Sequence, residues 1–112
     1  MFSQARILVI DDDESMRDSC RQALARKAGR VEVAEDSLTG LGILEKEAFD
    51  LVILDLKMPG LSGMEVLNRI KQEYPEVVII VITGYATVES AVEAMRHGAY
   101  DFLPKPFTPD SL

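Results

Sequence analysis

The chain contains a single cysteine, Cys20, so it can form no internal disulfide and no multi-cysteine metal site, which suits a reducing compartment. A free cysteine at helical spacing reads as a packed side chain rather than a redox centre. Long apolar runs are also missing. The longest, Val77 to Ile82, falls far short of the roughly 20 residues that cross a bilayer, and the N-terminus lacks a signal-peptide layout. The expected location is the cytoplasm, away from membranes. Cations are few and unclustered: 12 Lys and Arg stand against 19 Asp and Glu, for a net charge of -7. A nucleic-acid backbone would be repelled, so direct nucleic-acid binding is not expected. No glycine-rich turn follows the first apolar run, which disfavours dinucleotide binding.

What is present is the composition of a folding domain. At 112 residues, with 47% hydrophobic and 28% charged side chains, the chain fits one ordinary domain with one core. Short β-branched runs alternate with longer stretches of helical spacing, without repeats or low-complexity tracts. That alternation predicts an α/β fold, a parallel sheet covered on both faces by helices. Strands are expected at Arg6 to Ile10, Val31 to Ala34, Leu51 to Leu54, Val77 to Ile82 and Asp101 to Leu103. Glu32 interrupts the second, which suits an edge position.

Helices are expected at about Glu14 to Lys27, Leu38 to Lys46, Gly63 to Glu73 and Val88 to His97. Asp13, Ser37, Ser62 and Thr87 stand where N-caps belong, Pro75 ends the third helix, and Gly98 closes the fourth. His97 falls at a helix C-terminus, where partial positive charge is favoured. The methionines read as core filler, with Met58 and Met64 near the presumed site. Residues Thr108-Pro109-Asp110-Ser111-Leu112 read as a cap, an N1 proline and an acidic first turn, the start of a helix that is only begun at 108–112. The apolar strip it leaves implies a chain trimmed from a longer one or covered by a partner.

Where each apolar strand runs out, a residue with chemistry appears: Asp11-Asp12-Asp13 after the first, Asp55 after the third, Thr83 after the fourth and Lys105 after the last. In an open parallel sheet all strand C-termini share one edge, and ligands bind there. Carboxylates pressed together repel one another and call for a cation. Mg2+ takes oxygen ligands and keeps several waters. Asp12 and Asp55 are the expected direct ligands, with Asp11 acting through water, while Lys105 and Thr83 offer donors to phosphoryl oxygens. Phosphoryl transfer then needs only a nucleophile, and a carboxylate can serve as one. Taken singly, an aspartate after a strand is most often a cap, and Asp13 is assigned that role. A lone threonine is most often a local hydrogen-bonding group, and a lone lysine is most often solvated.

The segments ILVIDDDES, DLVILDLKMPGLSGMEVL and VITGYATVESAVEAMRHGAYDFLPKPF resemble the receiver domains of two-component response regulators over essentially the whole chain. The resemblance implies a flavodoxin-like, doubly wound five-stranded parallel sheet of order 2-1-3-4-5, with the last of its flanking helices truncated here. It makes Asp55 the phosphorylated residue, Asp11 and Asp12 the acidic pair for Mg2+, and Lys57 the residue whose main-chain carbonyl completes the metal site. Thr83 becomes the switch hydroxyl, Lys105 the phosphate-binding lysine, and Phe102 the aromatic that turns on activation. It also implies a cis Lys105-Pro106 bond and, through Lys57 and Tyr85, a slowly hydrolysed phosphoryl state.

The implied partners are a histidine kinase, docking near the first helix, and an output domain or partner protein. A homodimer would form through the face of the fourth helix and fifth strand. The last segment is most similar to receivers of transcriptional activators, including those that work with sigma-54 polymerase. Such a domain assists its own phosphorylation and dephosphorylation and is otherwise no enzyme. Two rivals stand beside it. One is a phosphatase of the haloacid dehalogenase type, with Asp11 as nucleophile and Asp13 as acid; it lacks the expected glycine-threonine turn and leaves Asp55 unexplained. The other is a pseudo-receiver that never takes phosphate, which would require the loss of a key residue.

Overall fold

The runs richest in Val, Ile and Leu form the strands, and the computed structural model describes residues 5–25, 29–57, 62–84 and 87–105. The elements alternate as β1 Arg6–Ile10, α1 Glu14–Leu24, β2 Arg30–Ala34, α2 Ser37–Lys46, β3 Leu51–Leu54, α3 Gly63–Glu73, β4 Val78–Thr83, α4 Val88–Arg96 and β5 Asp101–Pro104. All five strands are parallel, in the order β2-β1-β3-β4-β5. The expected fold and order therefore stand, with β2 and β5 as the edges. The expected start of a helix at 108–112 lies outside the described residues. Among the described residues, no helix is long and apolar enough to cross a membrane.

The three central strands are buried on both faces, as their unbroken apolar runs require. One face carries Leu8, Ile10, Val52, Leu54, Ile79 and Val81, packed with Val66, Leu67 and Ile70 of α3. The other carries Ile7, Val9, Ile53 and Ile82 with Cys20 and Leu24 of α1. Cys20 is fully buried, so it is a packing residue. Burial, helped by the Asp11 charge, pushes its thiol up to about 12.

Several boundaries shift by a residue or more. β2 starts at Arg30, β4 runs from Val78 to Thr83 and β5 includes Pro104, while α1 ends at Leu24 and α4 at Arg96. The N-cap of α2 is Asp36, not Ser37: Asp36 is extended, and its carboxylate accepts the Thr39 N–H at 2.7 Å. Ser37 becomes the first helical residue, its Oγ buried without a hydrogen-bond partner among the described residues. The helix is held in that register by Gly40, against which the Ile10 side chain packs so closely that a Cβ would lie 2.5 Å from Ile10 Cδ1. Asp13 and Thr87 cap as expected; the Thr87 hydroxyl accepts the Ser90 N–H, and Ser90 Oγ accepts the Thr87 N–H in return. Ser62 occupies a cap position but makes no side-chain cap bond. Gly98 closes α4 at φ 102, the left-handed conformation. Met16 and Met64 pack against the core, whereas Met95 is an exposed exception.

Two measurements follow from this packing. Gly42 has open space where a Cβ would go, so Gly42→Ala is expected to raise urea stability by about 0.5–1 kcal/mol. Gly40→Ala is expected to lower it, because overpacking a buried contact costs about 1–3 kcal/mol and outweighs the same helical gain. Alkylation followed by mass spectrometry is expected to modify Cys20 at pH 8 about a thousandfold more slowly in the folded than in the unfolded protein, from the rise of the thiol from 9.0 to about 12 and the dependence of reaction on thiolate.

Candidate functional site

β1 and β3 run side by side with Ile10 opposite Leu54, and the next residue on each is an aspartate. Asp11 and Asp55 thus emerge together at the C-terminal edge of the sheet, only 3% and 4% exposed. Asp12 follows on the solvent side. Carboxylate oxygens of Asp11, Asp12 and Asp55 lie within 4.8 Å of one another. The Asp13 N–H donates to Asp11 Oδ1 at 2.9 Å, and the Lys57 N–H donates to Asp55 Oδ1 at 3.1 Å.

Lys105 completes the cluster from the far side of β4. Its N–H donates to the Thr83 carbonyl at 2.9 Å, just past the β4–β5 ladder. Its ammonium lies 3.0 Å from Asp11 Oδ2 and 3.1 Å from Asp55 Oδ2. Burial lifts the Asp11 carboxyl above its usual range, and the Asp55 charge adds to the rise, against the bonds from Asp13 and Lys105. For Lys105, burial pulls the ammonium down, but hydrogen bonds to Asp11 and Asp55 and their charges outweigh it and hold the group above its ordinary value.

Three carboxyl groups crowd around one ammonium, an arrangement that favours a bound cation. The donors are all hard oxygens, the set Mg2+ prefers. The residues therefore fit such an ion.

Thr83 is the last residue of β4 and wholly buried. Phe102, opposite Val81 on β5, is partly buried against the core. Asp13 is not a member of the cluster's acid set: its carboxylate accepts the N–H groups of Ser15 and Met16 at the α1 N-terminus. Asp11 is itself held by Lys105 and by the Asp13 N–H. A phosphatase with Asp11 as nucleophile and Asp13 as acid has no support in this arrangement. Tyr85, Met58 and the Lys105-Pro106 bond fall on or reach into residues outside those described.

Two contributors were not singled out from sequence. Gly63, read only as the start of a helix, donates its N–H to the Leu56 carbonyl at 3.2 Å, and a Cβ there would lie 2.3 Å from Leu56 Cα. Only glycine lets α3 press against the turn that carries Asp55 and Lys57. Arg17 reaches back from α1 to donate to the Asp11 carbonyl at 2.8 Å. Gly63 had a signal in its position just after the loop from Asp55; Arg17 had none beyond its place on α1.

Residues 7–112 match the family described as the response regulator receiver domain. The chain is 42% identical over 112 residues to the transcriptional regulatory protein FixJ of Bradyrhizobium diazoefficiens, covering 100% of this chain and 55% of that protein. It is 39% identical over 110 residues to the C4-dicarboxylate transport transcriptional regulatory protein DctD of Pseudomonas aeruginosa, covering 98% and 24%. The chain thus spans only part of the length of these relatives. Among solved structures, a CheY-like response regulator receiver domain protein from Methanospirillum hungatei superposes with a TM-score of 0.91 at 35% identity, covering 96% of this chain and 86% of that one.

Because folding raises the Asp11 carboxyl above its ordinary value of 3.8, its penalty is absent below that pH, grows as pH rises toward the folded value and is complete above it. Asp11→Asn is therefore expected to be more stable than the metal-free parent at pH 7, the margin shrinking as pH is lowered toward 4. Urea titrations across that range would show a constant margin if burial and crowding were not the cause.

Proposed function

Because the chain belongs to the response regulator receiver domain family of two-component systems, we propose that Asp55 is its phospho-acceptor, charged by the phosphohistidine of a histidine kinase. The observation that carries this reading is the single Lys105 ammonium shared by the buried Asp55 and Asp11 carboxylates beside Asp12. Asp11, Asp12 and Asp55, with the Lys57 carbonyl, would hold Mg2+, which when bound cancels the surplus negative charge and orients phosphoryl oxygens.

An Asp55 oxygen forms the new bond to phosphorus while the bond from phosphorus to the histidine nitrogen breaks, its electron pair leaving with the imidazole. Lys105 supplies a point charge for one phosphoryl oxygen, and the Thr83 hydroxyl a donor for another. Since this catalysis is mostly positioning, the domain assists its own phosphorylation and dephosphorylation. A long-lived acyl phosphate is expected, Lys57 being large enough to hinder an attacking water. Residues 1–112 act as one receiver domain, working in the cytoplasm beside its kinase.

Thr83 couples chemistry to surface. Drawn toward the phosphoryl group, it moves the β4–α4 connection inward, and Phe102 turns into the space released. The surface that changes is α4 and β5. Val88, Val92 and Met95, spaced to share one face of α4, are exposed, Val88 at 81%, and Tyr100 before β5 is 72% exposed. Such apolar exposure supports a partner there, an output domain or a second receiver. FixJ and DctD are transcriptional regulatory proteins by name, which supports a transcriptional output.

Intact-protein mass after incubation with Mg2+ and acetyl phosphate tests the reading. One added phosphoryl group is expected in the parent protein and none in Asp55→Asn. A parent protein that gains nothing at any Mg2+ concentration would overturn it and leave a non-phosphorylated interaction module.

A further inference from the structure

Asp11 and Asp55 are each held at both carboxylate oxygens, one by a main-chain N–H and the other by Lys105. Asp12 differs: among the described residues, no group donates to its carboxylate, and it is exposed. Its position is therefore set by the backbone that carries it. The preceding peptide is planar, so the Asp11 carbonyl and the Asp12 N–H are locked in opposite directions, and fixing one fixes the other.

β1 ends at Ile10, and the chain bends away after the Asp11 N–H has bonded to the Ala34 carbonyl at 3.1 Å. The Asp11 carbonyl is the first of β1's acceptors to fall beyond the strand. Arg17 takes it. From the second turn of α1, its half-buried guanidinium donates Nη1 to that oxygen at 2.8 Å, a short, charge-assisted bond. Among the described residues, Arg17 forms no ion pair. The α1 end of the same loop is fixed by the Asp13 cap and by the Arg17 N–H, which donates to the Asp13 carbonyl at 3.0 Å.

We propose that Arg17 is a positioning residue for the cation site: by pinning the Asp11 carbonyl it orients the Asp11-Asp12 peptide and presents the Asp12 carboxylate to the ion. This rests on the reading of Asp12 as a Mg2+ ligand. Groups that orient ligands without touching the metal commonly change affinity by about 10–100-fold. Lysine keeps the charge but lacks the rigid planar fork, so it should restore the geometry only in part.

Isothermal titration of the intact protein with Mg2+ alone, in Arg17→Met, Arg17→Lys, Asp12→Asn and the Arg17→Met/Asp12→Asn double variant, separates the possibilities. Arg17→Met is expected to weaken Mg2+ binding about 10-fold and Arg17→Lys less. In the Asp12→Asn background, Arg17→Met should cause no further loss. Unchanged Mg2+ affinity in a folded Arg17→Lys or Arg17→Met protein would overturn the proposal. So would equal losses with and without Asp12. A parent protein that binds no Mg2+ overturns both this proposal and the function on which it rests.

Discussion

The registered pairing of β1 and β3 brings two aspartates to neighbouring positions at a buried sheet edge, where their charges repel and water cannot screen them well. Everything around the site answers that constraint. Main-chain N–H groups of Asp13 and Lys57 each satisfy one oxygen, and Lys105 crosses from beyond β4 to satisfy the other two. Even so, Asp11 remains raised by burial, and Asp12 adds a third charge. The edge thus keeps three carboxyl groups within reach of one another, the feature on which the proposed cation and phosphoryl chemistry rests.

At the opposite end of the sheet, charges are paired side chain to side chain. There Arg6 and Arg30 both reach Glu47, at 2.7 and 2.8 Å, and Arg30 also reaches Glu32 at 2.9 Å. The Arg6 N–H donates to Asp50 at 2.8 Å. These pairs are half-exposed and individually worth little, unlike the contacts of the buried Asp11 and Asp55 at the other end.

The turn after β3 and the bend after β1 are held by different means suited to their surroundings. The first is clamped by a close approach that only Gly63 permits, since a side chain there would collide with the Leu56 backbone. The second is held by polar reach, through the Asp13 cap and the Arg17 guanidinium. Both keep aspartates in place without occupying the space a ligand would use. Farther away, the exposed apolar face of α4 has no such support, which suits a surface that changes partners.

The element order, the central apolar strands and the edge position of β2 were legible from sequence, because strand burial on both faces writes itself as unbroken Val, Ile and Leu runs. The cluster residues were legible too, since parallel strands necessarily deliver their C-terminal neighbours to one edge. Helix ends were less so. Asp36 and Ser37 are both good caps side by side, and local pattern does not choose between them; in the fold it is Asp36 that accepts the Thr39 N–H. The sequence by itself determined which side chains meet, through periodicity and strand ends. Only the tertiary structure decided how they are held: the sharing of Lys105 by two acids, the Gly63 clamp and the reach of Arg17 to a carbonyl depend on distances between elements, which local pattern does not encode.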